Sequence, residues 1–331
     1  MSVYRYIFCS VQFLLLLILC WCFCGVESWN AYDYDLTTPM FTPDGRLLQV
    51  EYAFESSRHS SPLLAIPCED GVVLATTPYY SRDRIHRRQQ SRFVEILGNT
   101  NNHTLAVVGL SGVIADTMSL LQHARKHVDS WSRLYGTSPG MLNPARQIAN
   151  VVADACQSHA LGGGIRPYGA SLLVCSLQKG PQYKDGSAQS EQPPILATIA
   201  ITHPSGAVHS ATVTCSSKPN NNPTPVFVMG GTTDVQAKIK DRVEAFLLQQ
   251  DRNTDNKSLK RTIHIAIEAL LEEYDKNKQQ QLQQDQSGED DEAEMEIVIM
   301  SPTHGTHRLS RRDIRILVAR TRELQRLREV S

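Results

Sequence analysis

The apolar and polar residues of this chain are arranged in blocks, with strand-like runs followed by helical ones, and then the same order again. Short apolar runs between turn residues predict strands, and apolar residues at steps of three and four predict amphipathic helices. Strands are predicted at residues 63–67, 72–77, 103–109, 170–177, 195–203, 207–214, 225–229 and 296–300. Helices are predicted at residues 46–57, 114–135, 144–161, 235–248, 259–274 and, capped by Ser310, at 311–328.

The order of these blocks predicts the fold class. Single strands do not alternate with single helices, so a doubly wound parallel sheet is not expected. Strand blocks followed by helix pairs instead predict an α+β protein, a four-layer αββα sandwich of two stacked antiparallel sheets between helix pairs. Hydrophobic residues make up 41% of the 331 residues, which is enough for a sizeable core.

The first 28 residues form a separate unit, because residues 13–26 are an unbroken apolar run. Fourteen residues rise about 21 Å as a helix, which is short of the ~30 Å hydrocarbon core of a bilayer. The run therefore suits a signal peptide, and no stable membrane span is expected in the mature chain. The alternatives are export to the endoplasmic reticulum, with Asn102 and Asn256 as glycan acceptors, and either a mis-called start or an extension that is not translocated. The remaining domain covers residues 29–331.

Charge and cysteine spacing exclude several function classes. A formal charge of −1 gives no basic surface for nucleic acid. Four cysteines follow the N-terminal run, none in a C-x-x-C pair: Cys68, Cys156, Cys175 and Cys215. His123 and His127 stand four residues apart without a third ligand nearby, so no metal site and no cofactor are predicted. The acidic, low-complexity residues 276–294 suit a solvated insertion.

A motif near the start of the domain resembles a known family. Residues 34–54, YDLTTPMFTPDGRLLQVEYAF, are similar to the N-terminal signature of α-type subunits of the 20S proteasome. Matches to the family follow in order at residues 109–116, at the Arg166-Pro167-Tyr168-Gly169 element before a core strand, and at the turn of residues 203–206.

The resemblance implies a fold of the N-terminal-nucleophile hydrolase type and a role without catalysis. Such a subunit is expected in a seven-membered outer ring with other α subunits, above a ring of β subunits. Regulatory ATPase or activator caps and unfolded polypeptide in transit are its other expected partners. Its expected function is to gate the admission of substrate in ubiquitin-dependent degradation, in the cytoplasm and nucleus. The apolar extension of residues 1–28 leaves a secretory-pathway or organelle location open.

Residue roles carry over from the family only where the motif matches. The resemblance implies that Tyr34, Asp35, Pro43 and Tyr52 hold the reverse turn of the gate. The short helix after that turn has Leu47, Val50 and Phe54 on one stripe, which predicts a face that contacts a neighbouring ring subunit. Together, residues 34–57 form the expected gate turn and N-terminal helix.

This chain departs from the family pattern at two places. Leu36 stands where many members have an arginine, which removes a charged contact of the gate. The family also places a lysine after the second strand for the C-terminal carboxylate of activator tails, but the first lysine here is Lys126. Arg82 or Arg84 is the possible substitute in that pocket.

The alternative function is a threonine peptidase of the same fold, processed before Thr37 or Thr38. Such an enzyme needs a free N-terminal threonine and a nearby lysine that lowers the pKa of its nucleophile. Proline-rich residues follow Thr38 where a strand is needed, and no lysine lies in the first strands. A third hypothesis is a secreted paralogue outside any proteasome, which glycans on the sequons would support.

Overall fold

The computed structural model describes residues 40–77, 91–99, 104–135, 143–162, 166–180, 194–215, 225–250, 259–282 and 295–330. The strands of this part are β1 Leu63–Cys68, β2 Gly71–Thr76, β3 Phe93–Asn99, β4 Thr104–Gly112, β5 Ala170–Lys179, β6 Ile195–Thr202, β7 Val208–Cys215, β8 Phe227–Met229, β9 Glu296–Ser301 and β10 Gly305–Arg308. Its helices are α1 Leu48–Arg58, α2 Ile114–Tyr135, α3 Pro144–Leu161, α4 Thr233–Gln250, α5 Leu259–Leu282 and α6 Arg311–Val330.

The strands form two five-stranded sheets in which all pairs are antiparallel. The first sheet has the order β10-β9-β2-β1-β8, and the second has the order β3-β4-β5-β6-β7. Helices α4, α5 and α6 pack on the outer face of the first sheet, and α2 and α3 pack on the outer face of the second. The predicted α+β sandwich of four layers is therefore confirmed.

The alternation of side chains along each strand builds three apolar layers. In β1, Leu64 and Ile66 pack towards the helices, whereas Leu63 faces the other sheet. In β5, Leu172 packs towards α2 and α3, whereas Leu173 lies between the sheets. Successive residues of a strand point to opposite faces, so a strand buried on both sides is apolar throughout.

The structure differs from the sequence prediction at two edge strands and one helix end. Neither β3 nor β10 was predicted: β3 is irregular between Glu95 and Leu97, and β10 is short and largely exposed, so neither has a clean apolar alternation. Helix α5 was predicted to end at Tyr274 but continues to Leu282, because helix-favouring Lys, Gln and Leu follow without Gly or Pro. The first seven residues of the predicted insertion at 276–294 are thus helical.

A group of polar contacts joins the edges of the two sheets. The carboxylate of Glu296 at the start of β9 accepts hydrogen bonds from the Ser91 hydroxyl at 2.6 Å and the Arg92 amide at 2.8 Å. Arg308 lies 3.2 Å from the same carboxylate and donates to the Phe93 carbonyl at 2.8 Å. These charge-assisted bonds fix β3 of the second sheet beside β9 and β10 of the first.

No helix among the described residues is long and apolar enough to cross a membrane. The apolar run of residues 13–26, the rest of the N-terminal extension and both glycan-acceptor residues, Asn102 and Asn256, lie outside the described residues.

We expect that shortening a side chain in the core between the two sheets lowers the stability of the fold. Replacing fully buried Leu173 with Ala removes apolar contacts on both sheets and should lower the free energy of unfolding by about 2–5 kcal/mol. Urea unfolding measures this change. The control Leu134→Ala alters a side chain that is 76% exposed and should change stability by less than about 0.5 kcal/mol. Equal effects of the two variants would contradict the two-sheet core.

Candidate functional site

A tight reverse turn precedes helix α1. Thr42 closes it, because its amide donates to the Arg46 carbonyl at 2.9 Å and its hydroxyl accepts from the Arg46 amide at 3.0 Å. Pro43 occupies the second position of the turn, and Gly45 adopts a positive φ of 76° and donates to the Thr42 carbonyl. Proline fixes φ and glycine tolerates the left-handed region, so this triplet suits the turn.

An exposed ion pair joins this turn to the first turn of the helix. The Arg46 guanidinium binds both carboxylate oxygens of Glu51. This hydrogen bond lowers the pKa of Glu51 and raises the pKa of Arg46. A bidentate pair has a defined geometry, so it orients the turn relative to α1, although exposed pairs add little stability.

Helix α1 has one face packed on its own chain and another face in solvent. Val50 and Ala53 are buried, and the helix lies over the ends of β4 and β5. Tyr52 is 52% exposed on the other side, and Phe41, ahead of the turn, is 58% exposed. Large exposed aromatic residues are typical of an interaction surface.

This arrangement corrects one residue of the predicted ring-contact stripe. Val50 is only 7% exposed in the chain alone, because the stripe of α1 faces its own sheet, so Val50 is not available to a neighbouring subunit. Leu47 and Phe54 are half-buried. The outward aromatic residues are Phe41, which the sequence analysis did not select, and Tyr52, which it assigned to the gate.

Four buried serine hydroxyls join the end of α1 to the two central strands of the second sheet. The Ser60 and Ser111 hydroxyls hydrogen-bond to each other, and both lie within hydrogen-bonding distance of the Ser57 carbonyl oxygen, at 2.8 and 3.2 Å. The Ser171 hydroxyl of β5 donates to the Ser57 hydroxyl at 3.1 Å. We call Ser57, Ser60, Ser111 and Ser171 the serine cluster.

The chemistry of the serine cluster is structural. In the described part of the chain, each of its hydroxyls bonds to another hydroxyl or to a backbone carbonyl. A serine nucleophile needs a contacting base, and none of these partners is one. A Cβ atom on Gly230 would lie 2.9 Å from the Ser111 hydroxyl oxygen, so the backbone of the segment after β8 packs directly on the cluster.

The element at residues 166–169 is held by one buried carboxylate. Asp116 in the first turn of α2 accepts two hydrogen bonds from the Arg166 guanidinium, each of 2.7 Å, and one from the Gly169 amide at 2.8 Å. This partner raises the pKa of Arg166. Gly112, at a positive φ of 110°, brings the backbone of β4 against Gly169, where a Cβ would lie 2.3 Å from the Gly169 carbonyl oxygen.

Tyr168 of the same element packs between two helices. Its hydroxyl lies 3.2 Å from that of Ser119 in α2, and its ring centroid lies 4.1 Å from that of His159 in α3. Pro167 and Gly169 are buried on either side of it. The element therefore fixes the start of β5, which carries Ser171 of the serine cluster.

A group of aromatic rings packs α1 against the turn between β6 and β7. The Phe54 ring lies 5.6 Å from the ring of His203, whose ring lies 5.2 Å from that of His209. The Arg58 guanidinium lies 5.9 Å from the Phe54 centroid. Burial, and then the nearby His209 and Arg58, lower the pKa of His203 to about 4.

Several predicted positions lie outside the described residues: Tyr34, Asp35, Leu36, Thr37, Thr38, Arg82 and Arg84. The gate group and the activator-tail pocket therefore stay predictions. Among the described residues, no group of three or more His, Cys, Asp or Glu side chains could hold a metal ion. The serine cluster could not be identified from the sequence, because its only signal there is the presence of serines at the ends of otherwise apolar strands.

Comparisons with known proteins agree on one family. The N-terminal signature of A-type proteasome subunits matches residues 34–55, and the general proteasome subunit model matches residues 57–184. The proteasome alpha subunit of Methanocaldococcus jannaschii is 31% identical over 57% of this chain and 63% of its own length. The proteasome alpha 2 subunit of Haloferax volcanii is 32% identical over 51% of this chain and 64% of its own length.

The proteasome alpha subunit of Thermococcus sibiricus is 32% identical over 45% of this chain and 54% of its own length. The chain thus spans between about half and two thirds of the length of these relatives.

Removing the carboxylate that holds residues 166–169 should destabilise the fold. Asp116→Ala leaves the buried Gly169 amide without its acceptor and should cost about 2–4 kcal/mol in unfolding free energy. Asp129→Ala, which changes an exposed acid on the same helix, should cost less than about 0.5 kcal/mol. Denaturant unfolding compares the two, and a cost below about 1 kcal/mol for Asp116→Ala would refute the anchoring role.

The packing of α1 on the β6–β7 turn should weaken in mild acid. The pKa of His203 is about 4 in the folded chain and about 6.5 when unfolded, so the unfolded chain binds more protons between these values. Stability is therefore full above pH ~6.5 and falls as the pH drops towards ~4, by on the order of 2 kcal/mol after solvent screening.

Thermal unfolding at several pH values tests this. The variant His203→Gln removes the titrating group, so its stability should decline less between pH 7 and pH 4 than that of the wild type. The variant His304→Gln, in the exposed turn after β9, should decline like the wild type. An unchanged slope for His203→Gln would show that the ring contact carries no pH dependence.

Proposed function

We propose, because residues 34–55 match the N-terminal signature of A-type proteasome subunits and residues 57–184 match the proteasome subunit model, that this chain is a non-catalytic subunit of the outer ring of a proteasome core. In this role it contributes to proteolysis by assembly and by control of a pore, and the peptidase activity belongs to other subunits. Its partners are other α subunits, the β subunits beneath them, and a regulatory ATPase or activator cap.

The observation that carries this proposal is the position of helix α1. The serine cluster and Val50 hold the helix across the ends of β4 and β5, so this end of the sandwich is filled by the chain itself. In the same segment, Tyr52 of α1 and Phe41, ahead of the turn, are exposed to solvent. A fixed helix with outward aromatic residues is suited to contact a neighbour in a ring.

The reverse turn ahead of α1 supports a gating role. Its hydrogen bonds and the Arg46–Glu51 pair give the turn one defined shape. Tyr34, Asp35, Pro43 and Tyr52 form the gate group in this proposal, and unfolded polypeptide is the substrate that passes it. Arg82 or Arg84 is the proposed partner of activator tails. The proposed location is the cytoplasm and nucleus.

The alternative, a threonine peptidase starting at Thr37 or Thr38, has less support. Helix α1 and residues 59–62 lie between Thr38 and the first residue of β1, Leu63. A chain trimmed at either threonine would carry its free amine ahead of this helix rather than at the start of a core strand. The α-type signature also covers both threonines.

The outward aromatic residues give the test of the proposal. A tagged chain with Phe41→Ser and Tyr52→Ser, expressed in the source cell, should enter the proteasome particle at least tenfold less than the wild-type tagged chain. The reason is the loss of two apolar anchors at the ring contact. Size-exclusion chromatography of the lysate measures the share of tag in the particle.

Two controls accompany this measurement. The thermal midpoint of the purified double variant should match that of the wild type, since both side chains are exposed. The variant Lys238→Ser, at an exposed residue of α4 outside both proposed contact faces, should enter the particle normally. A wild-type chain that elutes alone, or a double variant that assembles normally, would argue against the proposal.

A further inference from the structure

Helix α6 has two apolar faces, and only one of them is used by the fold. Ile314, Val318 and Thr321 lie at steps of four and three residues and are buried against the outer face of the first sheet and against α5. This is the face that an amphipathic helix needs for docking on its own domain.

The second apolar face points to solvent. Ile316 is 58% exposed, Leu324 is 45% exposed and Leu327 is 63% exposed. Together with exposed Arg320, they follow one another at steps of four, four and three residues, so they form one stripe opposite the buried side. We call these four residues the outer stripe of α6. Single exposed apolar residues are common on protein surfaces and need no explanation. Three large aliphatic side chains on one solvent-facing stripe instead indicate an interaction surface.

The surroundings of the outer stripe are basic. Exposed Arg312 and Arg326 flank it, and the whole helix contains seven arginines, three acidic residues and no lysine. The helix therefore has a formal charge of +4, seven minus three. Guanidinium groups bind carboxylates through two parallel hydrogen bonds, which an ammonium group cannot do.

A groove runs beside the stripe, between α6 and α5. Its volume is about 190 Å³, and it is lined by His264, Glu268, Arg320, Thr321 and Leu324. Pockets for metabolites are usually about 300–1,000 Å³, so this groove has room for a single side chain, which contacts Leu324 on one side and polar groups on the others. Burial, and then nearby Arg320, lower the pKa of His264, while Glu268 opposes this shift.

We propose that the outer stripe of α6 and the adjoining groove bind an acidic amphipathic helix of a partner protein. One apolar side chain of that helix occupies the groove beside Leu324, others cover Ile316 and Leu327, and its carboxylates face Arg312, Arg320 and Arg326. This is the helix-in-groove mode of recognition, with apolar anchors at helical spacing and charge pairs that fix the orientation.

Two other occupants fit less well. A second copy of this helix would bring two arginine-rich surfaces together, which is repulsive. A flat anionic membrane surface presents no ordered side chain that would fill the groove between α5 and α6. A carboxylate-bearing helix with aliphatic anchors matches both the charge and the shape.

The test uses the full chain and a synthetic probe. The probe is a fluorescent Ala-rich helical peptide with leucines at steps of four, four and three, and with glutamates flanking that stripe. A peptide of the same composition in scrambled order is its control. By fluorescence anisotropy at low salt, the patterned peptide should bind at least tenfold tighter than the scrambled one, and added salt should weaken it.

Two double variants locate the binding. Leu324→Ser with Leu327→Ser removes the anchors, and Arg312→Glu with Arg326→Glu reverses the flanking charge. Each should weaken binding at least tenfold. The variant Leu134→Ser, with a more exposed leucine on α2, should bind like the wild type. All these side chains are exposed, so thermal midpoints should stay within a few degrees.

Three results would overturn the proposal. The patterned and scrambled peptides could bind equally, or both double variants could bind as tightly as the wild type. The chain could instead bind vesicles of phosphatidylserine and phosphatidylcholine through the same residues and ignore the peptide, which would assign the face to a membrane surface. None of these results depends on assembly into a ring, so the function proposed above stands or fails separately.

Discussion

Hydrogen bonds between serine hydroxyls fix helix α1 on the ends of β4 and β5, and the positions of the neighbouring segments follow from them. Buried polar groups are tolerated only when they are hydrogen-bonded, and Ser57, Ser60 and Ser111 satisfy one another where two strands, a helix and a glycine backbone meet. Because this junction is packed, helix α1 has one fixed position. The turn before it and the aromatic residues on its other side are fixed with it.

The two-sheet architecture does not by itself determine what the chain does, so the residues that fill this end of the sandwich matter. Two antiparallel sheets between helix layers are built from periodic apolar strands, and this framework does not specify chemistry. In this chain the serines at the junction bond to carbonyls and to each other, so they support packing. The Asp116–Arg166 pair fixes the start of β5 and therefore the position of Ser171 within the same cluster.

The helices and strands that were predicted correctly have a strong periodicity of apolar residues, and the strands that were missed have none. The buried strands and helix α2 follow from apolar spacing alone, and the family match ends at residue 184 although both sheets are completed by later strands. Edge strand β10 is short and polar, so no periodic signal marks it. The serine cluster depends on which strand ends meet in space, which spacing along the chain does not encode. Val50 was predicted to contact a neighbouring subunit but is buried in its own chain. An amphipathic stripe in a sequence does not show whether it packs on its own sheet or on another subunit.

Hydrogen–deuterium exchange of helix α1 tests the central claim most directly, with the chain measured alone and in the assembled particle. If the serine cluster holds the helix in the chain itself, the amides of residues 53–60 exchange slowly in both states, whereas residues 41–47, ahead of the helix, gain further protection on assembly. Rapid exchange of residues 53–60 in the folded, isolated chain would contradict the account, since the helix would then be held by its neighbours and not by its own sheet.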